Sequence, residues 1–431
     1  MYRKILSFLE AWKKNKHHKP LILQGARQVG KTYSILEFGR KYYENVAYFN
    51  FETNPKLNDT FEENISPGYL LPILSHIAGQ TIIKEKTLIV FDEVQLCERA
   101  LTSLKYFYED APDYHIIVAG SLLGVAVNRA KFSFPVGKVD IKTLYPMDLE
   151  EFMIAMGKEE IVEQIKKCFD MNAPLPSALH NIATQLYRQY LVVGGMPECV
   201  MQFVDTKDYI LVRHTQNMIL VSYLNDMSKY NNLNEIKKTR LAYDNITVQL
   251  SKKNTRFQYK LIKKGGRASE FENAIEWLCL SGIVSQVYKV EQIKKPLENY
   301  RDIDAFKIYV SDLGLLCAKK NLTANDILYM VEEINDFKGG MAENYVNVQL
   351  CINGYSTYYW ESGRGAEIDF IIQRDGKLIP IEVKSADNTR AKSLKVYIEA
   401  YKPEYAIKLS TKNFGFEDGK KIVPLYAAFC I

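Results

Sequence analysis

The chain has 431 residues, 47% of them hydrophobic and 25% charged, with a net charge of +5. These values place it among globular proteins, and the length exceeds what one compact core normally accommodates, so two to four domains are expected. The seven cysteines form no CxxC pair and the six histidines show no helical ligand spacing, which excludes a zinc site and a disulfide framework.

The opening stretch, MYRKILSFLEAWKKNK, is amphipathic and lacks the long apolar run and cleavage site of a secretory signal. The longest apolar stretch, 116–127, is interrupted by Gly120, Ser121 and Gly124 and is too short to span a bilayer. A cytoplasmic location without a membrane partner is therefore expected. Leu21-Ile22-Leu23 reads as a strand, and Gly25-Ala26-Arg27-Gln28-Val29-Gly30-Lys31-Thr32 reads as a loop that opens a helix. In a GxxxxGKT loop, glycine lets the backbone curl around phosphates with its N–H groups turned inward, at a helix N-terminus that favours anions. These eight residues are the expected ATP-binding set, with Lys31 reaching the β and γ phosphates and Thr32 holding Mg²⁺.

A strand-like run covers 45–52. Downstream, Thr87-Leu88-Ile89-Val90-Phe91 is rich in apolar residues and ends in Asp92-Glu93, the pattern of a buried parallel strand whose C-terminal end faces a ligand crevice. Asp92 is expected to hold Mg²⁺ through water, and Glu93 to orient and deprotonate the attacking water. His115 to Ala119 is a further strand, closed by Gly120 and Ser121; Ser121 reads either as a γ-phosphate sensor or as a turn serine. The extra strand between the lysine loop and the aspartate strand fits the P-loop branch that uses a catalytic glutamate. Lys138 to Thr143 offers a fifth strand, and Asp148 to Glu151 a capping box.

From 161 to about 230 the pattern is mostly helical, with a break at 191–197. Two or three short helices over 233–280 precede the strand-like run 283–288, a winged-helix-like order. Lys229 to Arg267 holds eleven Lys and Arg against two acids, 11 − 2 = +9, so the remainder of the chain sums to 5 − 9 = −4. That concentration reads either as a phosphate-backbone contact, through Arg240, Lys252, Lys253, Arg256, Lys260, Lys263 and Lys264, or as a solvated helical face.

Three strands are expected at 356–360, 366–372 and 378–384, the last two joined by a two-residue turn at Asp375-Gly376. Facing positions then sum to 751, placing Asp369 opposite Glu382 and Glu367 opposite Lys384. Carboxylates facing each other across a ladder repel, and a divalent cation bound through hard oxygen ligands, Mg²⁺ or Mn²⁺, would resolve the conflict.

The segments GARQVGKT, LIVFDEVQ, IIVAGS, LYPMDLEEF, YLVVGGMPE and VSDLGLL together resemble the prokaryotic AAA+ family ATPases in which an ATPase core precedes a C-terminal domain of unknown function. The resemblance implies ATP and Mg²⁺ as cofactors and a homo-oligomer in which one subunit completes the next one's site. Gly137-Lys138 stands where that family has Gly-Arg, and lysine lacks the planar fork of an arginine finger; Arg129 reads either as a weak substitute candidate or, more simply, as a surface residue. Asp369, Glu382 and Lys384 form D-x12-E-x-K, which resembles the PD-(D/E)xK nuclease motif. That resemblance implies metal ligation by Asp369, Glu382 and Glu343, and water activation by Lys384.

The expected fold is therefore α/β: a P-loop AAA+ type parallel sheet, then a helical and winged-helix-like region, then an α/β restriction-endonuclease-like domain. The expected divisions are an ATPase core at 1–158, a helical lid and linker at 159–230, a basic winged-helix-like region at 231–335 and a nuclease-like domain at 336–431. The function expected is ATP hydrolysis coupled to nucleic-acid binding through 229–267, DNA before RNA, with metal-dependent phosphodiester cleavage. The alternative is an ATP-dependent switch with a catalytically inactive nuclease-like domain.

Overall fold

The computed structural model describes residues 1–120, 134–229, 232–252, 256–363, 365–385 and 392–431. They divide into two compact units, 1–145 with 280–282, and 146–279 with 283–431.

The first unit runs α1 (Ile5–Lys14), β1 (Leu21–Gln24), α2 (Lys31–Tyr42), β2 (Asn45–Asn50), α3 (Leu57–Glu63), α4 (Pro67–Ala78), β3 (Thr87–Asp92), α5 (Glu98–Asp110), β4 (His115–Ala119) and β5 (Asp140–Thr143). Its five strands are all parallel, in the order β2-β3-β4-β1-β5. β4 thus lies between the strand that leads into the glycine loop and the strand that ends in Asp92. The apolar residues of β3 and β4 are fully buried, as both faces of a central parallel strand require. Phe49, Phe91 and Ile116 pack with Phe61, Leu70, Leu74 and Phe107 from the helices. The Phe61 and Phe91 rings meet edge to face at 5.5 Å. Burying each such side chain contributes about 2 kcal/mol, so this layer fixes the sheet on which the site stands. The fifth strand begins two residues later than expected.

The second unit opens with α6 (Leu149–Ala155), whose capping box forms as expected: Glu151 N donates to Asp148 Oδ1 at 2.8 Å and Asp148 N to Glu151 Oε2 at 3.2 Å. Then come α7 (Glu159–Met171), α8 (Ser177–Val193), α9 (Pro197–Thr206), α10 (Tyr209–Lys229), α11 (Leu233–Leu250), α12 (Tyr259–Ile262) and α13 (Ala268–Leu280). They are followed by β6 (Val284–Val290), β7 (Arg301–Val310), α14 (Leu313–Lys319), α15 (Ala324–Leu328), α16 (Asn335–Ile352), β8 (Tyr358–Glu361), β9 (Glu367–Arg374), β10 (Lys377–Val383), α17 (Lys392–Tyr401), β11 (Ala406–Ser410), β12 (Gly415–Glu417) and β13 (Lys420–Pro424).

Eight strands form one mixed sheet in the order β12-β13-β11-β10-β9-β8-β6-β7. The β9–β10 hairpin has the expected register, Lys377 facing Arg374 through Ile381 facing Phe370, each pair summing to 751. Its turn residues adopt positive φ, 49° at Asp375 and 74° at Gly376, the backbone that an Asp-Gly pair supplies. The structure differs from the expectation at β6 and β7. The anticipated wing is part of the large sheet, because Tyr288 and Lys289 of β6 pair in parallel with Tyr358 and Tyr359 of β8. That pairing uses the strand edge which a free-standing wing would leave to solvent, and it carries the sheet across 335/336.

Two segments that appear separately in the sequence meet within this unit. Asp312 caps α14 through a bond from Leu315 N at 2.8 Å and also accepts from Gly195 N at 2.6 Å. A Cβ at Gly314 would lie 2.4 Å from Val193 O, so the close approach of the VSDLGLL and VVGG segments requires glycine.

Candidate nucleotide site and carboxylate cluster

The loop between β1 and α2 is shaped by its glycines. Gly25 has φ +148°, and a Cβ there would sit 2.1 Å from Leu144 O; Gly30, at φ +89°, turns the chain into α2. Gln28 also has positive φ, 65°. Arg3, only 3% exposed, ties the loop from behind, donating to Val29 O at 2.9 Å and to Tyr145 O at 2.8 Å. Ala26, Arg27 and Gln28 complete the stretch, with Ala26 and Val29 buried in the core.

Lys31 is buried and donates to Gly25 O and Ala26 O, both at 2.8 Å. Thr32 Oγ1 donates to Asp92 Oδ2 at 2.8 Å. The parallel pairing of β2 with β3 puts Asn50 beside Asp92. Tyr48, two residues earlier on the same face, donates from its hydroxyl to Asp92 Oδ2 at 2.7 Å. Burial pushes the Tyr48 phenol up to about 12, with Asp92 acting in the same direction, so it remains a donor at neutral pH. Asp92 is buried, and Glu93 follows it at φ 53° with its own N–H donating to Asp92 Oδ1 at 3.0 Å. Gln95 Nε2 donates to the Glu93 carboxylate. Lys31, Thr32 and Asp92 are therefore brought together, with Glu93 adjoining them. The hydroxyl and carboxylate oxygens of Thr32 and Asp92 are hard donors suited to Mg²⁺ beside a phosphate. Ser121 and Arg129 lie outside the described residues. Lys138 pairs with Glu109 of α5 at 3.0 Å, on the surface of its own unit.

The second cluster lies on the large sheet. Asn344 of α16 accepts from Val310 N at 2.7 Å and donates to Val310 O at 2.8 Å, which fixes the helix along β7. Glu343 is thereby placed beside β7, and Tyr309 donates to its Oε2 at 2.9 Å. Asp369 Oδ2 accepts from Val383 N at 2.7 Å, and Lys384 pairs with Glu382. Glu367 pairs with Lys307 of β7, not with Lys384. The same Lys307 ammonium lies 3.3 Å from Glu343 and 4.0 Å from Asp369. It also stands 5.1 Å from the Tyr359 ring centre. Burial raises the Asp369 carboxyl well above its usual range, reinforced by Glu343 and Glu382; burial also raises Glu382. Burial alone would lower the Lys307 ammonium, yet Glu343, Glu367 and Asp369 hold it well above its usual range.

The expectation of a second metal does not fit this arrangement. Among the described residues no three His, Cys, Asp or Glu side chains converge on a point that could hold a metal ion. Asp369 turns one oxygen to a backbone amide, Glu382 is engaged by Lys384, and an ammonium stands between Glu343, Glu367 and Asp369. Lys307 and Tyr309 were missed by reading the sequence. Their signal was a charged residue inside the apolar strand Ala305-Phe306-Lys307-Ile308-Tyr309-Val310.

Of the basic segment, Lys237, Arg240, Lys252, Lys260, Lys263, Lys264 and Arg267 are exposed. Lys238 pairs with Glu235 and Lys263 with Glu270, while Arg240 donates to Leu224 O and Ser228 Oγ. Lys253 lies outside the described residues. No helix among the described residues is long and apolar enough to cross a membrane.

Residues 17–153 match the family model described as an AAA domain. Residues 184–326 and 338–428 match two further families, described as Domain of unknown function (DUF8612) and Domain of unknown function (DUF4143). Among solved structures, the chain is similar to the Walker-type ATPase PABY2304 of Pyrococcus abyssi, at 14% identity and a TM-score of 0.46, over 74% of this chain and 95% of that one. It is also similar to the ORC2 protein of Aeropyrum pernix, at 11% identity and a TM-score of 0.34, over 76% and 95%. RuvB of Thermotoga maritima matches at 14% identity and a TM-score of 0.29, over 65% and 87%. No curated protein matches the chain. The sheet order, the glycine loop and the family match together define the first unit as an AAA-type domain.

Proposed function

We propose that the chain hydrolyses ATP at the Gly25–Thr32 loop and that its nucleotide state governs nucleic-acid binding by the second unit. The observation that carries the first part is the convergence of Lys31, Thr32 and Asp92 at the C-terminal ends of β1 and β3. The loop amides at the start of α2 bind phosphate oxygens, and Lys31 exchanges its loop carbonyls for the β and γ phosphates. Thr32 and Asp92 are the residues that hold Mg²⁺, which when bound neutralises phosphate charge. Glu93, steadied by Gln95, orients the attacking water and takes its proton. Self-assembly remains part of this reading, and the Lys138–Glu109 pair argues that Lys138 does not serve a neighbouring subunit as a finger.

Lys31→Ala is expected to abolish nucleotide binding, and Glu93→Gln to retain binding while blocking turnover. Hydrolysis that continues unchanged in either variant rules out this assignment. The exposed cations between 237 and 267 support the nucleic-acid reading, with DNA before RNA. The ammonium standing among the C-terminal carboxylates favours a noncatalytic nuclease-like module over one that cuts.

A further inference from the structure

The C-terminal cluster contains four carboxylates, Glu343, Glu367, Asp369 and Glu382, and two ammonium groups, those of Lys307 and Lys384. Repulsion among acids on facing strands is relieved by a cation between them. Lys384 stays with Glu382 at the rim, where its side chain is 27% exposed. Lys307 is different, with a side chain that is 1% exposed and that projects from a strand interior into the space shared by the other three carboxylates. A lysine so buried is sustained only by acids around it, and Asp369 feels the charge of Lys384 as well as that of Lys307.

We propose that Lys307 is the resident cation of this cluster and takes the place of a divalent metal, so that the nuclease-like centre binds no metal and cuts no phosphodiester. The inference deepens the noncatalytic reading of the second unit and rests on it. A divalent ion needs direct contact with carboxylate oxygens. To reach Glu343, Glu367 and Asp369 it would have to stand beside the Lys307 ammonium in a medium that screens poorly. Tyr309, through its bond to Glu343, holds that carboxylate toward the lysine. Glu382 Oε2 is buried without a hydrogen-bond partner, so it is the oxygen available to a metal once the repelling charge of Lys307 is removed. Lys307 is thus a positioning residue that keeps the cluster closed.

The test is Mn²⁺ binding to the full chain, free of nucleotide, by calorimetry and by electron paramagnetic resonance. Wild type and Glu382→Gln are expected to behave alike, with no Mn²⁺ bound at the cluster at millimolar concentration. Lys307→Met is expected to gain one equivalent bound at least tenfold more tightly, and the double variant Lys307→Met with Glu382→Gln to lose it again. Lys307→Arg, which keeps the charge, is expected to remain blind to Mn²⁺. One equivalent bound by wild type and removed by Glu382→Gln overturns the proposal, as does a folded Lys307→Met that binds no more than wild type. The comparison of wild type with Glu382→Gln decides the question even if Lys307→Met does not fold. Wild type that neither binds Mn²⁺ nor retards DNA in a gel would overturn the nucleic-acid reading and leave the assignment of Lys307 standing.

Discussion

Thr32 Oγ1 and Tyr48 OH both donate to the same oxygen, Asp92 Oδ2, at 2.8 and 2.7 Å. The threonine lies in the glycine loop and the tyrosine on β2, so the aspartate is oriented from two sides. Removing the tyrosine donor frees the carboxylate to rotate while leaving the phosphate-binding loop intact. Tyr48→Phe is expected to raise the Mg²⁺ concentration needed for half-maximal hydrolysis by about tenfold, the effect typical of losing a partner of a metal-ligating carboxylate. ATP binding without Mg²⁺ should be unchanged. A Mg²⁺ titration with the wild-type midpoint would show that Asp92 is held without Tyr48.

Arg3 links Val29 of the loop to Tyr145 beyond β5. Arg3→Met removes a buried guanidinium and leaves two carbonyls without these donors, at a cost of about 2–4 kcal/mol. The first unit should unfold at lower urea concentration, and the nucleotide dissociation constant should rise because Val29 is no longer fixed. Arg3→Lys, which can satisfy one carbonyl, should fall between. Full stability of the methionine variant would contradict this role.

Asp312 gives a pH dependence with a definite sign. Burial pushes its carboxyl up to about 6 from an ordinary 3.8, against the pull of the Leu315 and Gly195 amides. The native state therefore keeps this proton after the unfolded chain has released it. The contribution is full below about pH 4 and is lost as pH rises through about 6, and it amounts to roughly 3 kcal/mol. The difference in urea midpoint between wild type and Asp312→Asn should change across this window and be flat above about pH 7. A difference that stays constant from pH 4 to 7 would mean that Asp312 does not titrate there.

The basic segment predicts a salt effect. On the proposed nucleic-acid reading, neutralising Lys252, Lys260 and Lys264, all exposed, to glutamine would remove up to three phosphate contacts. The slope of log affinity against log salt for duplex DNA should become shallower by about 2 to 3. A loss of affinity with an unaltered slope would place the contacts elsewhere.

The glycine loop and the strand end beside it were legible in the sequence because Gly25 to Thr32 are contiguous and because Asp92-Glu93 closes an apolar strand. The β9–β10 register was legible for a similar local reason: two turn residues set every facing pair. Tyr48 was not, since its role depends on β2 lying beside β3, although Tyr48 and Asn50 share a face by strand alternation. Lys307 was further from view. It reaches Glu343, 36 residues away in sequence, only because β7 and α16 are held together by Asn344 and Val310. Local patterning specifies such a strand but not the neighbours that its fold supplies.

The hydrogen bonds between β6 and β8 carry a practical meaning for the two sequence families that match 184–326 and 338–428. A polypeptide begun at 336 would contain β8 but not its partner, and would offer the backbone beside Tyr358 and Tyr359 to any strand that could pair with it. The complementary piece would carry that strand in β6. Produced together, the two halves should find each other as fragments of one fold; produced alone, the C-terminal half should self-associate through its open edge. The seam between the families is a place where the chain can be severed, and its two sides remain one sheet.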